Sequence, residues 1–183
     1  MTDRSRPTGE PGAPAPYRIR PTQAADLARL PDVERSAGER FRASDLAWVA
    51  DEPPAPVESH ARHLGWHWVA AGADDVPVAF LFARSCGGMV HIGEISVALP
   101  HQGRGLGRAL IAAVCAEARR QGFARVTLTT YRDIAWNGRY YASLGFREMA
   151  PEEQPPFLRE QLAEEARHGH DPARRAAMVL ALA

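Results

Sequence analysis

Residues 89–110 read MVHIGEISVALPHQGRGLGRAL, and their pattern changes twice. The first part, Met89 to Leu99, alternates and contains β-branched residues, which predicts a strand that ends at Pro100. From Leu106 the spacing becomes helical. One face of this helix carries the apolar side chains Leu110, Ile111, Val114, Cys115 and Ala118. The stretch therefore predicts a strand, a glycine-containing loop and a helix in direct succession.

The loop between strand and helix has glycine at every second position: 103, 105 and 107. The first N–H groups of a helix lack partners within the helix, and its dipole is positive at that end. Glycine allows a phosphate to approach the backbone closely and adopts positive φ at little cost. We therefore expect an anion site here, and a tight turn without a ligand is the alternative. The spacing fits neither G-x-G-x-x-G nor G-x-x-x-x-G-K-[ST], so those nucleotide motifs are absent.

Composition limits the class of protein. The chain has 183 residues, 45% of them hydrophobic, and equal numbers of acidic and basic residues. A net charge of zero gives no long-range attraction for a nucleic acid. No apolar run is long enough to span a membrane, and Cys86 and Cys115 lack the spacing of a disulfide framework. We expect a cytoplasmic protein with a disordered tail at residues 1–16 and one domain at residues 17–183, without nucleic-acid or membrane partners.

Strands and helices alternate along that domain. Strands are expected at residues 17–20, 66–71, 77–83, 89–99, 125–130, 146–149 and 174–182, the second and third of them forming an antiparallel hairpin. Helices are expected at residues 33–49, 57–64, 134–143 and 157–168, with a capped helix start at residues 21–27 and the helix from Leu106, which Gly122 closes with a left-handed cap. Such interleaving predicts an α/β or α+β layer fold.

Two motifs carry a resemblance to a known family. Val97-x-x-Pro100-x-Gln102-Gly103-x-Gly105-x-Gly107-x-x-Leu110 resembles the GNAT signature Q/R-x-x-G-x-G/A with its preceding strand. Further along, Trp136-Asn137-x-x-x-Tyr141-x-x-x-Gly145-Phe146 resembles the later element of the family. The likeness covers nearly the whole chain after residue 16. It implies a mixed, mostly antiparallel central sheet flanked by helices, with a strand-loop-helix site for a pyrophosphate.

The resemblance also implies an activity. GNAT proteins are acetyl-CoA-dependent N-acetyltransferases, so we expect direct transfer of an acetyl group to a primary amine in a ternary complex. The acceptor would be a small molecule or a peptide. A catalytically silent acyl-CoA-binding or regulatory module is the alternative function. Whether the chain works alone or as a homodimer stays open.

The family pattern places the cofactor on two segments. The residues expected to bind acetyl-CoA are Ile95, Ser96, Val97, Gln102, Gly103, Arg104, Gly105, Leu106, Gly107, Arg108, Asn137 and Tyr141. The family's asparagine commonly lies about seven residues before the tyrosine, where this chain has Ile134. Asn137 is the nearest asparagine and takes that place in the prediction.

Acetyl transfer needs a base for the amine, a donor for the leaving thiolate and a partner for the oxyanion. Glu94 is the leading candidate for the base, and His91, which titrates near neutrality, is the second. The resemblance assigns the acid to Tyr141 and the oxyanion contact to a backbone N–H between Ile95 and Val97, at a bulge. The alternatives are polar residues on a half-exposed strand for Glu94 and His91, and core packing for Tyr141.

Metal binding is not expected, although His60, His63 and His67 have helical spacing and His168 and His170 follow Glu164. Zinc sites need three or four protein ligands, and no cysteine pair lies nearby. The acceptor side is expected to draw on variable segments. Its candidate residues are Phe41, Asp45, Trp48, Asp51, Glu52, Tyr131 and Trp136, whose acids and aromatic rings would suit a cationic amine.

Overall fold

A computed structural model describes residues 13–182. The first twelve residues of the predicted tail lie outside this range. The strands are β1 (Arg18–Pro21), β2 (His67–Ala71), β3 (Pro77–Cys86), β4 (Met89–Val97), β5 (Arg125–Tyr131), β6 (Arg147–Glu148) and β7 (Arg175–Ala181). The α-helices are α1 (Leu30–Gly38), α2 (Val57–Ala61), α3 (Leu106–Arg120), α4 (Gly138–Ser143) and α5 (Pro156–Arg167). Short 3₁₀ segments lie at Ala24–Arg29, Glu39–Ala43, Ala47–Asp51, Leu64–Trp66, Leu99–His101 and Pro151–Glu153.

The strands form one seven-stranded sheet in the order β1-β2-β3-β4-β5-β7-β6. All neighbours are antiparallel except β4 and β5, which run parallel. The predicted hairpin of β2 and β3 is confirmed. Its turn places Asp75 at φ 61°, and the Gly72 N–H donates to the Val76 carbonyl at 2.9 Å. The predicted mixed, mostly antiparallel sheet flanked by helices is confirmed.

Helices cover both faces of the sheet. On one face Leu106, Leu110 and Val114 of α3 are buried in the main core with Leu81 and Val90. These helix residues follow one another at intervals of four, so they form one stripe, and burying each side chain contributes roughly 1.5–3 kcal/mol. Gly122, at φ 82°, ends the helix as predicted.

The opposite face is covered by two helices that stand apart. Leu30 and Val33 of α1 pack on Phe80 of β3, whereas Leu158 of α5 packs on Val179 of β7. The central strands β4 and β5 lie between these two clusters. The space between the two helices on this face therefore lies above the parallel strands β4 and β5.

Three predicted helices are shorter in the structure. The helix expected at residues 57–64 ends at Ala61, and the helix expected at residues 134–143 begins only at Gly138. The helix expected at residues 33–49 is α-helical only to Gly38 and continues as two 3₁₀ segments, with Ser44 extended at φ −120° and ψ 174°. The Ser44 hydroxyl donates to the Phe41 carbonyl and accepts the Leu46 N–H, and serine commonly competes with helical hydrogen bonds in this way. The segment consequently consists of short separate turns instead of one straight helix.

Candidate active site

The cleft forms where β4 and β5 separate. The two strands pair only at Val90 with Val126 and at His91 with Thr127. Beyond that point the edge of β4 that faces β5 has no strand partner, and a cleft of about 690 Å³ opens between them. Its walls come from α1, the following 3₁₀ segments, β4, the glycine loop, β5 and the start of α4.

The glycine loop lies at one end of the cleft. Gly103 and Gly105 have φ of 72° and 78°, and a Cβ added to either would meet no atom within 4 Å. Gly105 is the residue before α3, whose first turn carries no acidic side chain. Glycine conformation, open space and free N–H groups at a helix start together make a cradle that fits a phosphate group. Arg104 and Arg108 are exposed beside it but do not line the cleft.

Gln102 ties this loop to its surroundings. Its side-chain Nε2 donates to the Val97 carbonyl at 2.9 Å, and its Oε1 accepts from Arg40 at 3.0 Å. The Arg40 guanidinium also lies 4.5 Å from the ring centre of Trp136. Arg40 therefore joins three walls of the cleft, a contact that no local sequence pattern indicates.

A bulge in β4 presents Glu94 to the cleft. Phe82 pairs with Glu94 and Ala83 with Ile92, so Gly93 is the extra residue. A Cβ on Gly93 would lie 2.2 Å from the Phe82 ring, so only glycine fits without displacement. The family resemblance implied a bulge between Ile95 and Val97, whereas the bulge observed lies at Gly93, in the pairing of β4 with β3. Ile95, Ser96 and Val97 also line the cleft.

The Glu94 carboxyl is half-buried and accepts a hydrogen bond of 2.7 Å from the Ser96 hydroxyl. The pKa of Glu94 is raised to about 8: burial is the largest cause, the negative charge of Glu34 adds to it, and the hydrogen bond from Ser96 acts in the opposite direction. A carboxyl group with such a pKa can take up and release a proton near neutral pH.

Tyr141 lies on α4 and reaches the same cleft. Its ring packs on Phe146 with centres 5.9 Å apart, and its hydroxyl forms no hydrogen bond with any residue between 13 and 182. Burial raises the pKa of Tyr141, and the charges of Tyr140 and Glu94 act in the same direction. The phenol therefore stays protonated at neutral pH and can serve as a donor.

His91 lies outside the cleft, in contrast to Glu94 and Tyr141. It is 1% exposed, its Nδ1 lies 3.1 Å from the Thr127 hydroxyl, and the Phe157 ring lies edge-on at 5.7 Å. Burial lowers the pKa of His91 to about 4. The structure therefore gives His91 the surroundings of a neutral core residue beneath the point where the strands separate.

The start of α4 completes the wall. Asn137 precedes the helix and lines the cleft, and its carbonyl accepts the Tyr141 N–H at 2.9 Å. Tyr140, which the sequence reasoning missed, also lines the cleft. Its hydroxyl lies 2.8 Å from where a Cβ on Gly107 would be. Adjacent tyrosines just before Leu144-Gly145-Phe146 are the sequence signal that could have indicated it.

The predicted acceptor residues divide into two groups. Phe41, Glu52, Tyr131 and Trp136 line the cleft. Asp45, Trp48 and Asp51 do not: Asp45 pairs with Arg174 at 2.7 Å, Asp51 pairs with Arg42 at 2.9 Å, and Trp48 packs on His170. The carboxylates of Asp45 and Asp51 therefore hold surface segments together.

Neither a metal cluster nor a membrane segment is found in residues 13–182. No three histidine, cysteine, aspartate or glutamate side chains converge to hold a metal ion there. No helix in the same range combines the length and the apolar composition needed to cross a bilayer.

Comparisons with known proteins agree with the fold and the cleft. The sequence model of the Acetyltransferase (GNAT) family matches residues 38–146, more than half of the chain. Glucosamine 6-phosphate N-acetyltransferase 1 of Oryza sativa subsp. japonica is 32% identical over 142 residues, which cover 72% of this chain and 82% of that protein. The chain therefore belongs to the GNAT acetyltransferase family and is an N-acetyltransferase.

Solved structures show the same fold. N-acetylglutamate synthase from Neisseria gonorrhoeae, in complex with coenzyme A and N-acetyl-glutamate, superposes with a TM-score of 0.67 at 17% identity. That match covers 93% of this chain but only 36% of the synthase. YncA from Salmonella typhimurium, with acetyl-CoA, gives a TM-score of 0.62 at 25% identity and covers 91% of this chain and 94% of that one. The fold thus occurs in proteins that bind coenzyme A or acetyl-CoA.

Proposed function

We propose that the chain transfers the acetyl group of acetyl-CoA directly to a primary amine, while both substrates occupy the cleft between β4 and β5. The observation that carries this proposal is the meeting of Glu94, Tyr141 and the glycine loop in one cleft. The proposal treats residues 17–183 as one domain. Bound acetyl-CoA supplies the activated acyl group, and Gly103 and Gly105 form the cradle for its pyrophosphate.

Glu94 acts as the base. An alkyl ammonium with a pKa of about 10.4 is almost fully charged at neutral pH, so a proton must be removed before the nitrogen can attack. A carboxylate with a pKa of about 8 is a much better match for this task than an ordinary glutamate. Since His91 is buried away from the cleft, it positions Thr127 and Phe157 and takes no proton from the substrate.

Tyr141 acts as the acid. Its protonated hydroxyl is free to donate to the sulfur as the thiol leaves. The edge of β4 after His91 is unpaired on the side of β5, so its backbone N–H groups are available to the acetyl oxygen. Glu94 thus accepts the proton of the amine, Tyr141 donates a proton to the sulfur, and the backbone of β4 binds the acetyl oxygen.

The cleft offers poor support for a covalent acetyl-enzyme. Cys115 is buried on α3 and Cys86 lies at the far end of β3, so neither lines the cleft. Ser96 lines it, but its hydroxyl donates to Glu94. Burial raises the pKa of the Cys115 thiol, which makes a thiolate nucleophile still less accessible.

The test is thiol release from acetyl-CoA with a panel of primary amines, followed by initial rates in both substrates. Direct transfer predicts intersecting double-reciprocal lines. Parallel lines would indicate a covalent intermediate and contradict the proposal. Acetyl-CoA binding without turnover on any amine would favour the silent binding module.

A further inference from the structure

A second carboxylate faces the cleft from α1. Glu34 lines the cleft, and both of its oxygens accept the Ala55 backbone N–H, at 3.1 and 3.0 Å. Its side chain is 22% exposed, so it is held in place but still open to a ligand. The two elements that carry the carboxylates, α1 and β4, pack directly on each other. Two glutamates from distant parts of the sequence therefore share one wall.

Two buried histidines in contact with each other, His60 and His67, lie behind Glu34. His60 is fully buried, and its Nε2 lies 3.8 Å from Glu34 Oε2. Within residues 13–182 this nitrogen has no hydrogen-bond partner. His60 Nδ1 lies 3.3 Å from His67 Nε2, and His67 Nδ1 lies 2.8 Å from the Thr22 hydroxyl. Burial lowers the pKa of both histidines, that of His67 to about 3. His60 and His67 are consequently neutral at pH 7 and add no positive charge beside Glu34.

The arginines of the cleft are engaged elsewhere. Arg175 pairs with Glu165 at 2.8 Å, and Arg35 pairs with Asp32 at 2.8 Å. Arg40 lies over Trp136 and donates to Gln102. Among residues 13–182, no arginine forms an ion pair with a cleft carboxylate; these carboxylates are Glu34, Glu52 and Glu94. The wall beside the base therefore carries carboxylates that no arginine of residues 13–182 contacts directly, and Arg35 acts on Glu34 only at longer range.

We infer that Glu34 selects the acceptor: together with Glu94 it receives the ammonium form of a primary amine that carries no anionic group beside its nitrogen. This inference rests on the proposed function. Glu34 holds the cation and Glu94 takes its proton, so the two carboxylates have different tasks. His60 supports Glu34 from behind without adding a positive charge.

The ionisation of the pair agrees with this division. The negative charge of Glu34 raises the pKa of Glu94, so Glu34 ionises first. The pKa of Glu34 is itself raised by burial and by Glu52, while the Ala55 N–H and Arg35 oppose that rise. An ammonium bound at the pair reduces the repulsion and favours ionised Glu94. Binding of the ammonium therefore increases the ionised fraction of Glu94, the carboxylate that takes its proton.

The protons balance in one turnover. The ammonium gives one proton to Glu94, the C–N bond forms and the C–S bond breaks. Tyr141 gives its proton to the sulfur, and the second proton from the nitrogen restores the phenol. Glu94 then releases its proton to water, so each turnover yields the amide, free coenzyme A and one proton.

The variant Glu34→Gln tests the inference, with Glu160→Gln as the matched control, because Glu160 is an exposed residue of α5 that does not line the cleft. Glutamine keeps an oxygen for the Ala55 N–H. The substrate is an alkyl monoamine without any other charged group. We expect its KM and its calorimetric Kd to rise roughly 10- to 100-fold, because a charge-assisted hydrogen bond is lost. The KM for acetyl-CoA should stay unchanged. The rising limb of kcat/KM should also move to lower pH, since Glu94 loses a negative neighbour. Glu160→Gln should change none of these.

The substrate panel provides the second arm: alkyl monoamines, amino acids and amino-sugar phosphates. The parent should favour amines without a carboxylate or phosphate. A preference for anionic amines, or an unchanged amine KM in a folded Glu34→Gln variant, would overturn the inference and leave the acetyltransferase proposal intact. Thermal unfolding identifies a variant that fails to fold, in which case Glu34→Asp, which keeps the charge, should retain the amine selectivity of the parent. Failure of the parent with every amine would overturn both proposals.

Discussion

Replacing Glu94 with glutamine removes a carboxylate while keeping its size and an acceptor for Ser96. In the parent, a pKa of about 8 means that roughly one Glu94 in ten is ionised at pH 7 and nine in ten at pH 9. The kcat/KM for the amine should therefore rise about tenfold over this range and level off above it.

The Glu94→Gln variant depends on the small neutral fraction of the amine. That fraction rises about tenfold per pH unit up to a pKa of about 10.4, so kcat/KM should rise about 100-fold between pH 7 and pH 9 without a plateau. At pH 7 the variant should be slower by about 10²- to 10⁴-fold, the usual contribution of acid-base catalysis.

The assay is thiol release at saturating acetyl-CoA, with kcat/KM for one amine measured at each pH. Ser96→Ala is the control, because it retains the base but removes the hydrogen bond that lowers its pKa. Its plateau should remain and its rising limb should move to higher pH. Profiles of the same shape for the parent and Glu94→Gln would refute the role of Glu94 as a proton acceptor.

Three further changes test separate parts of the site. Tyr141→Phe should lower kcat by about 10²-fold or more with unchanged acetyl-CoA affinity, whereas a packing role predicts unchanged turnover. Gly105→Ala and Gly122→Ala both place a side chain at positive φ and should each cost about 1–3 kcal/mol in thermal unfolding, but only Gly105→Ala should weaken calorimetric acetyl-CoA binding. If both variants bound acetyl-CoA equally well, the assignment of the glycine loop as the pyrophosphate site would be wrong. His91→Gln should keep kcat within about threefold. The folded pKa of His91 is lowered to about 4, so the parent loses stability as the pH falls from about 6.5 toward 4. The free energy of unfolding of the variant should fall less over that range.

Local signals were sufficient for the parts of the fold that lie close together in sequence. The alternating residues of β4, the closely spaced glycines and the apolar stripe of α3 are all local patterns. The structure contains the strand and the helix that these patterns predict, with the glycine loop between them. The β2–β3 hairpin is confirmed for the same reason, since its turn lies between two short apolar runs. The placement of Glu94 and Tyr141 in one cleft agrees with the family resemblance.

Features that depend on distant residues were not predictable. The helix expected at residues 33–49 becomes a 3₁₀ segment after Gly38, and Ser44 ends that segment with its own backbone hydrogen bonds. Residues of the continuing segment, among them Phe41 and Val49, line the cleft. No local pattern marks Glu34, because its position in the cleft depends on the packing of α1 on β4. His60 and His67 have the spacing of one helical face, yet His67 begins β2, so their contact arises from the chain reversal between them. His91 became a core residue because Phe157 of α5 covers it.

Direct transfer is the central claim, and the composition of the chain makes one measurement of it unusually clear. All 22 basic residues other than histidine are arginines, so no lysine side chain can take up an acetyl group as background. Intact-mass analysis should therefore be done after incubation with acetyl-CoA alone and again after rapid quenching with an accepted amine present. We predict an unmodified protein in both samples and acetylated amine in the second. An acetyl adduct on the protein that forms with acetyl-CoA alone and disappears when the amine is added would contradict direct transfer.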